Sequence, residues 1–206
     1  MRLFVAVLPP PHVLDHLERA LALARAGSLV DEGQGPVRWT PAGDRHLTVA
    51  FYGGTPDGAV PEVAGGLASL AAEHRPFDLA LRGSGLFDRR TLWIGCGGEV
   101  ATMAALMEGA SLLGTEVLGR TDDRVRSRAH LTVGRVRDQA RRQSSRRREA
   151  PGVTAVTALS HALAVYEGPA WTVEAVHLIS SELGAGPGGA ALHEVVETFP
   201  LGPVAG

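Results

Sequence analysis

The tetrapeptide His-Leu-Thr-Val is written twice, at residues 46–49 and 130–133, inside "RHLTVAFYG" and "AHLTVGRVR". Polar and apolar residues alternate in each copy, a period of two that suits a half-buried strand and not a helix. In a regular strand His46 and Thr48 share one face while Leu47, Val49 and Phe51 share the other, and His130 and Thr132 stand likewise against Leu131 and Val133. The chain is thereby committed to strands with an apolar underside and an upper face that carries an imidazole beside a hydroxyl, twice. Strict alternation turns Arg135 away from His130, so that only a bulge or the end of the strand would bring it to the same face.

Around these strands, short apolar runs alternate with helical patterns. "RLFVAVL" reads as a first strand, and the prolines Pro9 to Pro11 open a helix over 12–25 with Val13, Leu17, Leu21 and Ala24 on one face and Gly27 as its stop. "VRWT" reads as an edge strand, 60–74 as a helix, and "FDLALRGSGLFD" and "TLWIGCGG" as strands about a turn at 88–90. A third helix is expected over 99–113. Residues 153–164 fit either helix or strand, while "WTVEAVHLISSEL" and "LHEVVETFPL" read as strands joined by "GAGPGG". Each half of the chain thus supplies one His-Leu-Thr strand to a duplicated arrangement of sheet and helices, an α/β (α+β) fold. The length, 206 residues, suits a single unit spanning 1–206. Residues 137–150, rich in Arg and poor in apolar side chains, are expected to form an exposed loop or a solvated helix.

Composition removes several classes of function. A formal charge of −2 leaves no global basic field for duplex DNA, so an anionic ligand must be met locally. The lone cysteine, Cys96, excludes an internal disulfide and a cysteine-rich zinc site, and makes a reducing cytoplasm the expected home. The apolar run at the N-terminus stops at Pro9, short of a signal sequence or a membrane span. All 20 basic residues are arginines, which excludes lysine-dependent phosphate loops, Schiff bases and lysyl-nucleotide intermediates. A monomer is expected, as no large apolar repeat is evident.

Two imidazoles facing one cavity suit in-line displacement at phosphorus: one takes a proton from the attacking water while the other gives a proton to the leaving oxygen. Imidazole titrates near neutrality, so both protonation states are available at once. The two threonine hydroxyls can hold the non-bridging oxygens, and neither a metal nor another cofactor is called for. A binding module that grips phosphorylated RNA ends or nucleotides without turnover is the reading from another class. More arginines would serve it better than two titrating imidazoles. Other signals are weaker. His12 and His16 stand four apart on the first helix without an evident third metal ligand, and read as a solvated face. "GAGPGG" reads as a hairpin loop and "SRRRE" as a solvated charge run. Trp39 and Trp93 lie beside apolar strands and read as core. Asp44, two residues before His46, receives no role.

With both His-x-Thr-x strands and their flanks in view, "MRLFVAVLPP", "VRWTPAGDRHLTVAFYGG", "GLFDRRTLWIGCGG", "AHLTVGRV" and "ELGAGPGGAALHEVVETFPLG" together resemble the RNA 2′,3′-cyclic phosphodiesterases of the 2H phosphoesterase superfamily, historically called 2′-5′ RNA ligases. The resemblance runs in order along nearly the whole chain. It implies a bilobal fold with pseudo-twofold symmetry and a central cleft, and hydrolysis of a 2′,3′-cyclic phosphate at an RNA 3′ end to a 2′-phosphate, without metal or cofactor. It implies His46 as proton donor to the departing 3′ oxygen, His130 as proton acceptor, and Thr48, Thr132 and Arg135 as phosphate contacts. ATP-independent joining of 2′,5′-linked RNA halves is the reverse of the same chemistry. The chain departs from the family pattern at Ala129, where a proline is usual before the second His, and at His193, where many members have a tyrosine able to stack on a base.

Overall fold

Residues 3–7 are all buried although they form a strand, so this strand has protein on both of its faces. It is β1 (Arg2–Val7). Leu3, Val5 and Val7 enter the main core, whereas Phe4 and Ala6 form a small second cluster with Ile179 and Phe51. The computed structural model describes residues 1–26, 35–119, 128–137, 151–186 and 189–202.

After β1 come α1 (Pro11–Ala26), β2 (Val37–Trp39), β3 (Leu47–Gly54), α2 (Val60–Glu73), β4 (Phe77–Phe87), β5 (Thr91–Gly98) and α3 (Val100–Leu118). β6 (His130–Val136), α4 (Pro151–Ala162), β7 (Glu167–Val173), β8 (Ala175–Glu182) and β9 (Leu192–Pro200) complete the order. The strands form one curled antiparallel sheet in the order β7-β4-β5-β6-β3-β1-β8-β9, with β2 added against β6. The two His-Leu-Thr strands, β6 and β3, are neighbours at its centre. They pair at Leu47 and Leu131, the same position of each repeat.

β1, β3, β8 and β9 make one side of the sheet, over α2 and α3, while β4, β5, β6 and β7 make the other, over α1 and α4. Two expectations are corrected. "WTVEAVHLISSEL" is two strands in different sides of the sheet. The residues it sends to the main core, Trp171, Val173, Val176 and Leu178, slip out of period two at Glu174, where the chain leaves β4 for β1. The third helix runs past the expected end at Leu113 to Leu118, because Gly114 is a packing residue and not a stop. A Cβ at Gly114 would lie 2.7 Å from the buried Tyr52 ring, whose hydroxyl donates to the Ala110 carbonyl at 3.0 Å. The left-handed Gly119, φ 61°, ends the helix.

Residues 153–164, open between helix and strand, lie mostly in α4. Asp88 and Arg89 adopt positive φ in the expected turn. The stop at Gly27 and residues 138–150 of the Arg-rich segment lie outside the described residues. No helix among the described residues is long and apolar enough to cross a membrane.

Candidate active site

The helices cover one face of the sheet, and the other lines a cleft of about 530 Å³. His46, Thr48, His130, Thr132 and Arg135 all line it. The Leu47–Leu131 pairing fixes their arrangement: one step either way along the antiparallel register sets Thr48 beside His130 and His46 beside Thr132. Each imidazole therefore neighbours the hydroxyl of the other repeat.

Both strands carry a bulge at the same place. Against β1, Val5 pairs with Ala50 and Ala6 with Thr48, which leaves Val49 extra; against β5, Leu92 pairs with Gly134 and Trp93 with Thr132, which leaves Val133 extra. An extra residue resets which face the following side chains take. Arg135 is thereby brought to the face of His130 and Thr132, meeting the condition that strict alternation failed. Phe51, assigned by alternation to the apolar underside, is corrected for the same reason and lines the cleft.

Each imidazole is held by the main chain two residues before it. His46 Nδ1 lies 2.8 Å from the Asp44 carbonyl and His130 Nδ1 lies 3.1 Å from the Arg128 carbonyl. A carbonyl only accepts, so Nδ1 donates in both, and Nε2 is the nitrogen at which a proton is gained or lost. Asp44 thus has a role, through its carbonyl, because it ends a short 3-10 turn (Ala42–Asp44) ahead of β3 and is not bound by strand alternation.

Aromatic rings hold the imidazoles from the side. Phe4 lies 4.8 Å from His46 and Phe87 lies 4.7 Å from His130, centroid to centroid. His193 reaches the cleft from β9, 5.6 Å from His46, with Nδ1 3.8 Å from an Asp44 carboxylate oxygen. Trp93, expected in the core, instead packs beside Phe87, 5.4 Å between ring centroids, with the His130 ring centroid 6.3 Å away in an edge-to-face arrangement. Trp39 does pack on the core, with the Arg25 guanidinium 3.9 Å from its ring centre, and also borders the cleft. Period-two reading of β1 would have found Phe4, opposite in face to Leu3 and Val5. Nothing local marks Phe87, which comes from the neighbouring hairpin.

Beneath His46, the Arg45 side chain is 2% exposed and ion-paired to Glu18 of α1 at 2.5 Å, and Glu18 also meets Arg25 at 2.9 Å. Burial pushes the Glu18 carboxyl up, but the hydrogen bond and charge of Arg45, with Arg25 beside it, outweigh burial and hold it below its usual range. The cleft itself is lined by four arginines, Arg2, Arg38, Arg135 and Arg137, against one acid, Asp44, in a chain whose net charge is negative. Positive charge is thus concentrated in the cleft although the chain as a whole is negative.

His12 is exposed, and His16 Nδ1 lies 3.1 Å from the Tyr166 hydroxyl, an inter-element contact and not a ligand pair. Among the described residues no three His, Cys, Asp or Glu side chains are grouped to hold a metal. "GAGPGG" does connect the paired strands β8 and β9, with Pro187 and Gly188 outside the described residues.

Residues 8–93 match the family model of the LigT-like phosphoesterases. An RNA 2′,3′-cyclic phosphodiesterase of Geobacillus stearothermophilus is 39% identical over 67 residues, which cover 31% of this chain and 21% of that relative. The match thus spans about a fifth of that relative's length. The crystal structure of TT0787 of Thermus thermophilus superposes with a TM-score of 0.67 at 25% identity, covering 98% of each chain. E. coli LigT complexed with 3′-AMP shares the fold, with a TM-score of 0.66 at 18% identity over 97% of each chain. Residues 8–93 are thus similar in sequence to the LigT-like phosphoesterases, and nearly the full length of the chain shares the fold of E. coli LigT.

Proposed function

We propose that this protein hydrolyses the 2′,3′-cyclic phosphate at an RNA 3′ end and leaves a 2′-phosphate. The observation that carries the reading is the pair of imidazoles, each pinned at Nδ1 by a carbonyl and each beside the other repeat's threonine. In-line attack needs a proton acceptor on one side of phosphorus and a proton donor on the other, with the non-bridging oxygens held between them. His130 Nε2 accepts the proton of the attacking water. The new bond to phosphorus forms as the bond to the 3′ oxygen breaks, and protonated His46 delivers its Nε2 proton to that oxygen. Thr48 and Thr132 donate to the non-bridging oxygens, and Arg135 balances their charge. The partly matching relative named for this activity supports the assignment.

The test is an assay, with EDTA present, of an oligoribonucleotide ending in a 2′,3′-cyclic phosphate. The expected product is the 2′-phosphate, with a bell-shaped pH–rate profile, and H46A and H130A each lower kcat by roughly 10²–10⁴-fold. A 3′-phosphate product, or activity that survives either substitution, would overturn the reading. RNA-end binding without turnover would leave the cleft as a recognition site.

A further inference from the structure

The proposed reaction uses one phosphate and one arginine, yet the cleft carries four. Arg38 on β2 lies directly opposite Arg135 on β6. Residues opposed across an antiparallel ladder share a face, with Cα atoms roughly 4.5–5.5 Å apart. That face is the cleft's, since both side chains line it. Like charges set opposite each other in a sheet destabilise it. Among the described residues, neither the Arg38 nor the Arg135 side chain has a carboxylate or hydrogen-bond partner to offset the repulsion. Arg137, just past the end of β6, adds a third guanidinium, its Nε donating to the Gly35 carbonyl at 3.1 Å. A sheet keeps such a cluster at one end of an open cleft when an anion larger than a single phosphate fills it.

Resting on the phosphodiesterase reading, we propose that Arg38, opposed to Arg135, forms a second phosphate subsite for the phosphate on the 5′ side of the terminal nucleotide. The preferred substrate is then a cyclic-phosphate end that carries this second phosphate, and not a bare cyclic nucleoside. That phosphate is present in an RNA chain as the last internucleotide linkage and in a free nucleotide as a 5′-monoester. Guanidinium suits both, because its planar fork offers paired donors to phosphate oxygens.

The experiment compares adenosine 2′,3′-cyclic phosphate, the same nucleotide with a 5′-phosphate, and the dinucleotide ending in a 2′,3′-cyclic phosphate, in wild type, R38Q and R38K. The wild-type kcat/KM is expected to be at least about tenfold higher when the second phosphate is present. In R38Q the ratio between substrates falls to within about twofold of unity, and R38K keeps an intermediate ratio. The salt dependence of kcat/KM on the dinucleotide becomes shallower in R38Q by roughly 0.7 in the log–log slope. A preference shared by the dinucleotide assigns the subsite to the RNA linkage; one confined to the 5′-monoester assigns it to free nucleotides. A substrate ratio in R38Q equal to that of wild type overturns the proposal, even if both rates fall, because Arg38 then serves the scissile phosphate or the sheet. If wild type cleaves none of the three, the phosphodiesterase reading falls, and the subsite is tested by calorimetry. Adenosine 3′,5′-bisphosphate must bind wild type more tightly than 3′-AMP, with the difference lost in R38Q; equal affinities overturn it.

Discussion

At the scale of single residues, the proposed mechanism asks each imidazole to exchange its proton at one defined nitrogen. The Asp44 and Arg128 carbonyls leave the two imidazoles a single nitrogen each for proton exchange, and Thr48 and Thr132 complete the set. A hydrogen bond to a charged group contributes roughly 1.5–3 kcal/mol, so T48A and T132A should each lower kcat/KM by about 10–150-fold while leaving the product unchanged; steady-state kinetics decides it. Glu18 makes a different kind of test. Replacing it by Gln leaves the Arg45 guanidinium, 2% exposed, without its carboxylate, and E18Q should lower Tm by several degrees. Since the folded Glu18 carboxyl is held below its usual value, its contribution exists above the unfolded carboxylate range and disappears as pH falls through the folded value. The gap in Tm between wild type and E18Q should therefore close in acid. Cys96 on β5 packs against the core, and burial pushes its thiol up to about 12. Iodoacetamide at mildly alkaline pH should leave it unmodified in the folded protein and alkylate it in urea.

At the scale of elements, the paired bulges at Val49 and Val133 decide what the cleft contains. Each repeat spends one residue on a bulge, and the side chain five places after its histidine comes up into the cleft: Phe51 in one, Arg135 in the other. The symmetry of the backbone thus delivers different chemistry at equivalent positions. The β4–β5 hairpin serves the same site, since Trp93 lies over Gly85 and packs against His130. A Cβ added at Gly85 would collide with the Trp93 ring, so G85A must shift the indole and with it the imidazole. Its kcat should fall roughly tenfold or more with little change in KM, accompanied by altered tryptophan fluorescence. Unchanged kcat would show that the indole does not position His130.

At the scale of the whole molecule, the two sides of the sheet are woven from the entire chain. β1 sits between β3 and β8, so the side that presents His46 is complete only when the last strands have joined. A fragment ending at Val173 would leave β1 as an open edge, with Phe4 and Ala6 stripped of Ile179. It should show no cooperative melt by circular dichroism, in contrast to the full chain. The same weaving sets how much could be read in advance. The strands with clean period-two or continuous apolar patterns, and the helices with one apolar stripe, are legible because those patterns are local. The split at Glu174 is also written locally, as a slip between Val173 and Val176, but two strands and one bent strand share that signal until the partners β4 and β1 are known.

Alternation and residue chemistry alone determined that His46 would share a polar face with Thr48, and His130 with Thr132, each over an apolar underside, and that the basic side chains open to an anion are arginines and not lysines. Only the tertiary structure decided that the two strands are neighbours, that bulges turn Phe51 and Arg135 upward, and that Arg38 stands against Arg135. The physical reason is that a side chain's face follows from the backbone period within its own strand, whereas its neighbours follow from register. Register is set by hydrogen bonds between residues far apart in the chain, such as Leu47 and Leu131, and no local pattern records which strand will supply them.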